Sequence, residues 1–248
     1  MIFSIASSTS LHLSLSSTDS ISLVPRDQCL RDHPVLAQAV GGWQRAHAPA
    51  PEDGDDAWYA AFCDPALQPD PTIRWAGSLI FYLPERDLDR TARELGPALA
   101  RMLEALGGGG MLTFLHAARS TRWPTRRRSP PEMADAARAF RSMGAGKSFN
   151  GGIRAAVSEC AAVFAPLLWS ARMDADYGLV FVAADGVPLV ASLCQYANLH
   201  VDVYSRPVAA AVREAARDAG LAEWTDGMCD ERFAADGAIP GRWLSLDR

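Results

Sequence analysis

Two apolar runs joined by Asp185-Gly186 constrain the fold of this chain more than any other feature of its sequence. The runs lie within residues 177–193, and Asp-Gly is typical of the tight turns that connect adjacent antiparallel strands. Residues 198–204 alternate apolar and polar side chains, which predicts a further strand. Pro188 cannot donate a backbone hydrogen bond, so the second run is predicted to be an edge strand or to contain a bulge.

A strand–helix–strand pattern precedes these runs. Residues 72–83 are rich in β-branched and aromatic side chains and predict a central strand. The following helix ends near residue 106, and Gly96-Pro97 is expected to kink it. Residues 111–116 predict the next strand, with a right-handed crossover if the two strands are parallel. Because hairpins flank this unit, we expect an α+β fold, with a mixed, largely antiparallel sheet and helices packed on it.

The remaining patterns complete a prediction of one domain over residues 1–248. Residues 48–58 and 117–131 are predicted to be flexible loops, because they are polar and contain proline. Other segments predict a hairpin within residues 2–24 and helices over residues 34–43, 131–143, 151–169 and 206–221. In the first of these helices, Gly41 and Gly42 are expected to end the helix.

Composition excludes several classes of function. The net charge of −5 argues against broad nucleic-acid binding, which needs an excess of Lys and Arg. No apolar run is long enough to span a membrane. The five cysteines are scattered without a Cys-x-x-Cys pair, which is typical of reduced thiols in a cytoplasmic protein and predicts no metal site. No cofactor is predicted, and the oligomeric state stays open.

The stretch GAGKSFNG at residues 144–151 resembles the second half of a phosphate-binding loop. That loop needs an earlier glycine at position 141, which is Arg141 here, and it lies between a strand and a helix. The preceding residues predict a helix instead. We therefore interpret the stretch as a connection between two helices and predict no nucleotide binding.

His200 and Asp202 are the strongest candidates for catalysis. They are two residues apart on a predicted strand, so their side chains share one face of the sheet. A histidine beside a carboxylate can act as a general base, and the pair can also bind a metal ion. His116, at the end of another predicted strand, is the available third group. These residues support one hypothesis, a cofactor-independent enzyme acting on a small molecule, although a solvated strand face explains them too.

Acidic residues interleaved with aromatic ones in the C-terminal tail support a different hypothesis. The predicted partner-binding residues are Glu223, Trp224, Asp226, Asp230 and Glu231. Aromatic side chains among carboxylates suit a basic protein surface. A polar tail held down by its aromatic side chains explains the same pattern.

In size, acidity, α+β character and scattered tryptophans and glycines, the whole chain resembles the immunity proteins of bacterial polymorphic and contact-dependent toxin systems. The resemblance implies a cytoplasmic protein that binds a cognate protein toxin, often a nuclease, and occludes its active site. Carboxylates would take the place of the phosphates that a basic toxin surface binds. An accessory or scaffold subunit is a third possibility.

Overall fold

The structure is a computed structural model of the 248-residue chain, and it describes residues 20–48, 56–65, 67, 70–125, 130–175, 177–225, 229–240 and 242. The predicted hairpin within residues 2–24 therefore lies largely outside the described residues. The strands are β1 (Ile21–Val24), β2 (Gly77–Tyr82), β3 (Met111–His116), β4 (Gly152–Ala156), β5 (Val180–Ala184), β6 (Leu189–Leu193), β7 (Leu199–Val203) and β8 (Ala222–Glu223). The helices are α1 (Arg26–Asp32), α2 (Pro34–His47), α3 (Asp56–Phe62), α4 (Leu88–Ala105), α5 (Pro131–Ser142), α6 (Cys160–Met173) and α7 (Arg206–Asp218).

All eight strands belong to one sheet, in the order β1-β4-β3-β5-β6-β7-β2-β8. Each of the seven neighbouring pairs is antiparallel. The α+β class and the largely antiparallel sheet are thus confirmed, while the described strands contain no parallel pair. β2 and β3 point in the same direction, yet β7, β6 and β5 lie between them. The two strands of the strand–helix–strand unit are therefore separated in the sheet by strands that follow them in the chain.

The Asp185-Gly186 turn is confirmed and connects β5 to β6. Gly186 has φ +80°, a conformation that this turn requires and that glycine adopts without strain. The edge-strand prediction for the second run is wrong, because β6 lies between β5 and β7. Pro188 comes directly before the first residue of β6, so its missing N–H lies outside the strand. Its carbonyl accepts a hydrogen bond of 2.8 Å from the backbone N–H of Tyr204.

Glycine in a helical pattern misled two predictions. α2 does not end at Gly41 and Gly42 but continues to His47, because its apolar side is held against the sheet. The helix predicted from residue 151 begins only at Cys160, and residues before it form β4. A Cβ atom on Gly152 would lie 2.4 Å from the Sγ of Cys29, so the close approach of α1 requires glycine there.

The stretch at residues 144–151 connects α5 to β4, so the predicted helix-to-helix connection is also wrong. Gly144 has φ +94° and turns the chain after the helix. The order helix–loop–strand is the reverse of the order found in a phosphate-binding loop.

One face of the sheet is covered by α4–α7 and is mainly apolar. Its core includes Leu99, Phe114, Phe164 and Val182, all fully buried. A Cβ atom on Gly96 would lie 2.5 Å from the Cβ of Phe164, so glycine lets α4 pack closely on α6. We call this side the sealed face.

The other face is covered only in part, and we call it the half-open face. α1 and α2 pack over β3, β5 and β6 through side chains such as Leu36, Leu115 and Phe181. On β7, the side chains of His200 and Asp202 point to this face and are half-buried. Among the described helices, none has both the length and the apolar character needed to cross a bilayer.

A buried polar network links α1 and α2 to the end of β3. The guanidinium of Arg26 donates to the carboxylate of Asp64 at 2.8 Å and to the carbonyl of His116 at 2.6 Å. The side-chain amide of Gln44 donates to Asp64 and to the carbonyl of Ala117, both at 2.8 Å. The network therefore gives each of these buried polar groups a partner, as burial requires.

Candidate functional site

The structure does not bring together the three groups of the enzyme hypothesis. Phe114 and Val201 face α4–α7, and His116 shares the face of Phe114 because it lies two residues along the same strand. His200 alternates with Val201 and therefore points to the opposite face, together with Asp202. The prediction that His116 would complete a site with His200 and Asp202 is wrong, because a sheet separates them.

His116 is a packed side chain of the sealed face. It is fully buried, with ring centroids 4.7 Å from Trp123 and 5.0 Å from Tyr177. Burial, aided by the charges of Arg26 and Arg122, lowers the pKa of His116 to about 3. The imidazole is neutral at physiological pH. Trp123 also holds the first part of the predicted flexible loop 117–131, since its indole N–H donates to the carbonyl of Gly151 at 2.8 Å.

The half-open face presents a different histidine environment. The Nε2 of His200 lies 3.4 Å from the Sγ of Cys229, and burial lowers the pKa of His200 although Asp202 opposes the shift. Asp202 accepts hydrogen bonds from the hydroxyl of Ser78 and from the indole N–H of Trp75, the latter at 3.2 Å. His200 therefore presents a neutral imidazole to a thiol, and Asp202 orients neighbouring side chains.

A second thiol completes a cluster around His200. The Sγ atoms of Cys194 and Cys229 are 3.9 Å apart, and one ligand atom from each of the three residues lies within 4.8 Å of the others. All three side chains are half-buried, and burial raises the pKa of the Cys194 thiol to about 12. The sequence prediction of no metal site was based on spacing alone. No local spacing reveals this cluster, because Cys229 comes from the tail.

A buried ion pair holds the two cysteine segments beside each other. Arg172 on α6 donates to the carboxylate of Glu231 at 2.6 and 3.0 Å and to the carbonyl of Gln195 at 3.2 Å. The side chains of Arg172 and Glu231 are 3% and 1% exposed. Glu231 was predicted to bind a partner, but its carboxylate is buried and pairs with Arg172 inside the protein.

The other residues of the predicted acidic surface are dispersed. Glu223 forms an ion pair with Arg213 at 2.9 Å, and Trp224 packs on Tyr82 with ring centroids 4.9 Å apart. Asp230 is exposed, and Asp226 lies outside the described residues. The described tail therefore presents no array of unpaired carboxylates around an aromatic side chain.

Aromatic side chains stack on one another elsewhere, on the half-open side. Ring centroids are 4.8 Å apart between Trp58 and Phe62, 5.3 Å between Phe62 and Trp43, and 4.5 Å between Trp43 and His47. Helix α3, which carries Trp58 and Tyr59, has no buried residue. Among the described residues, the exposed large hydrophobic side chains are Trp58, Tyr59 and Trp75, at 40%, 38% and 62% exposure. We call these three residues the aromatic surface.

A cavity of about 530 Å³ beside α2 is lined by polar groups that no sequence pattern predicted to form a site. The Nε2 of His33 lies 2.8 Å from the hydroxyl of Thr113 and 3.4 Å from the carboxylate of Asp185, which also pairs with Arg154. A catalytic triad uses the two ring nitrogens of histidine for different partners. Here both partners meet the same nitrogen, so Asp185 does not orient His33 toward Thr113.

No family model, no curated protein and no solved structure matches this chain. The geometry of the aromatic surface, the cysteine cluster and the half-open face therefore carries the argument about function.

Proposed function

We propose that this protein binds and neutralises a cognate bacterial protein toxin by occluding its active site, and that it acts as an immunity protein. One observation carries the proposal: the exposed large hydrophobic side chains of the described residues lie on the half-open side, on α3, which packs on Trp43 of α2, and at Trp75, which bonds to Asp202. Trp58 and Tyr59 project from α3, and Trp75 is tied to that face through Asp202.

Tryptophan and tyrosine suit this role because they bury a large area at a low cost in conformational entropy. Interfaces are enriched in them, and a few such side chains supply most of the binding energy. Stacking of Trp58 on Phe62 and the hydrogen bond from Trp75 to Asp202 fix both indoles before a partner binds. The partner-binding site that we propose is therefore the aromatic surface and not the tail.

Charge and thiol content fit the same proposal. The net charge of −5 favours encounter with a basic partner, since complementary charge raises association rates. Two acidic residues, Asp56 on α3 and Asp70 in the segment before Trp75, are exposed. All five cysteines are free, which fits the cytoplasm of the toxin-producing cell.

The test combines capture with protection. The tagged protein is incubated with lysate of its native host at low and high salt, and each stoichiometric companion is then expressed in a laboratory bacterium. We expect one salt-sensitive companion that arrests growth alone, and growth restored by co-expression of the wild-type protein. The double variant Trp58→Ala/Trp75→Ala should fail to protect.

Glu104→Ala is the matched control, because Glu104 is exposed on α4 on the opposite side of the sheet. It should protect as well as the wild type does. A companion that leaves growth unchanged would contradict toxin neutralisation, and the absence of any companion at either salt concentration would contradict the binding function itself.

A further inference from the structure

Two distances within the group of Cys194, His200 and Cys229 match the coordination shell of a metal ion, and the three ligand atoms all lie within 4.8 Å of one another. A tetrahedral zinc ion lies about 2.3 Å from sulfur and about 2.1 Å from nitrogen, which places two sulfurs roughly 3.8 Å apart and sulfur and nitrogen roughly 3.6 Å apart. The protein has 3.9 Å between the two Sγ atoms and 3.4 Å between the Sγ of Cys229 and the Nε2 of His200. We propose that these three residues bind one zinc ion.

The donor atoms select the metal. Thiolate sulfur and imidazole nitrogen favour zinc, whereas magnesium and calcium take oxygen ligands. Binding requires that both thiols lose their protons and that the imidazole of His200 is neutral, because only these forms offer a free electron pair to the ion. Each zinc ion therefore releases two protons, and the site with two thiolates carries no net charge, which suits its half-buried position.

The surrounding structure arranges the ligands without the metal. Cys194 begins the turn after β6, where its N–H donates to the carbonyl of Asn198 at 3.1 Å. His200 lies on β7, which pairs with β6 along its length. The Arg172–Glu231 ion pair brings the segment of Cys229 to that turn. Three ligands from three positions thus converge before any ion binds.

The coordination number predicts what else the site can do. Within the described part of the chain, no further Cys, His, Asp or Glu joins the cluster. Three protein ligands leave a fourth position for water or for a ligand atom supplied by another molecule. The ion would also fasten the tail segment that begins at Cys229 to the end of the sheet.

Metal titration of the full-length reduced protein tests the proposal. Cobalt(II) is added to chelator-treated protein, and absorption is followed in the near-ultraviolet and the visible. We expect one ion per chain, a thiolate-to-cobalt charge-transfer band and the strong visible bands of tetrahedral cobalt. Zinc should displace cobalt stoichiometrically, and zinc addition to lightly buffered protein should release two protons per ion.

Variants locate the ligands. Cys194→Ser, Cys229→Ser and His200→Asn should each weaken zinc affinity roughly 100-fold or more, since even outer-shell changes cost 10- to 100-fold. Cys63→Ser and His47→Asn remove one thiol and one imidazole from outside the cluster, and they should leave affinity unchanged. X-ray absorption of the wild-type zinc complex should show two sulfur neighbours, which keeps the test valid if a variant does not fold.

The proposal is wrong if the reduced wild-type protein binds neither cobalt nor zinc at micromolar concentration. It is also wrong if Cys194→Ser and Cys229→Ser retain wild-type affinity, or if X-ray absorption shows only oxygen and nitrogen neighbours. None of these measurements involves the aromatic surface or a partner protein, so a failure here is separate from a failure of toxin neutralisation.

Discussion

The sealed and half-open faces of the same sheet are built from different chemistry. On the sealed face, the sheet packs against four helices through fully buried side chains such as Phe114 of β3 and Leu99 of α4. Gly96 allows two of those helices, α4 and α6, to pack closely. On the half-open face, a polar network around Arg26 holds the helices, and His200 and Asp202 stay half-buried. The difference teaches that apolar packing on one side supplies stability, which leaves the other side free to carry polar and reactive groups.

The largest effect should come from a cavity on the sealed face. Phe164 is fully buried, and its ring centroid is 6.5 Å from that of Phe114. Phe164→Ala should lower the free energy of unfolding by about 4 kcal/mol, because the cavity adds to the lost burial. Urea denaturation measures the loss. A loss below about 1 kcal/mol would show that this face repacks freely, and it would contradict the conclusion that the sealed face supplies most of the stability.

The next effect should come from the polar network of the half-open side. The side chains of Arg26 and Asp64 are 6% and 11% exposed. Asp64→Asn leaves the Arg26 charge without its buried partner, so we expect a loss of about 3 kcal/mol in the free energy of unfolding. Asp27→Asn is the control, because its ion pair with Arg31 is exposed. Equal losses in the two variants would contradict a special role for the buried network.

Lowering the pH should then reduce the free energy of unfolding, because His116 is buried in the sealed face. Its folded-state pKa of about 3 lies below the ordinary histidine value of 6.5, so as pH falls below 6.5 the unfolded chain binds a proton that the folded chain does not bind. Between pH 7 and pH 5 this linkage should remove about 2 kcal/mol of stability. His116→Phe should remove that part of the loss, as measured by urea denaturation at both pH values. An unchanged pH dependence in the variant would exclude His116 as its source.

The smallest effect on stability should come from the aromatic surface. Trp75 is 62% exposed, so Trp75→Ala should change the free energy of unfolding by about 0.5 kcal/mol or less. Thermal unfolding measured beside Glu104→Ala provides the comparison. If Trp75→Ala instead costs more than about 2 kcal/mol, the half-open face supports the fold and is not reserved for binding.

Local chemistry explains which elements the sequence predicted. Asp185-Gly186 predicted its turn because the dipeptide alone favours that conformation, and the boundaries of β3 matched because strand and turn signals agree there. The helix prediction failed at Gly151 and Gly152. Both positions need glycine because β1 and α1 pack too closely there for a side chain, and no local sequence pattern shows those contacts.

The candidate site was less predictable, because its residues meet only through distant segments. Cys194 and Cys229 are 35 residues apart, and the tail brings them together. The burial of Glu231 depends on Arg172, which lies on α6 and carries no signal of that pairing in the sequence. His200 and Asp202 were correctly placed on one face by strand alternation, whereas the face of His116 depended on strand order and register.

The strand order also has a consequence for synthesis on the ribosome. β1, β3 and β4 can pair as soon as β4 has emerged, but β2 finds its neighbours, β7 and β8, only after more than a hundred further residues have been made. Leu79 and Phe81 of β2 therefore wait for both neighbouring strands until β7 and β8 have been made, and β3 keeps an open edge until β5 arrives. A nascent chain with an open strand edge and uncovered apolar side chains is prone to aggregate. The yield of folded protein in cells should thus depend on chaperones that bind this late-pairing strand.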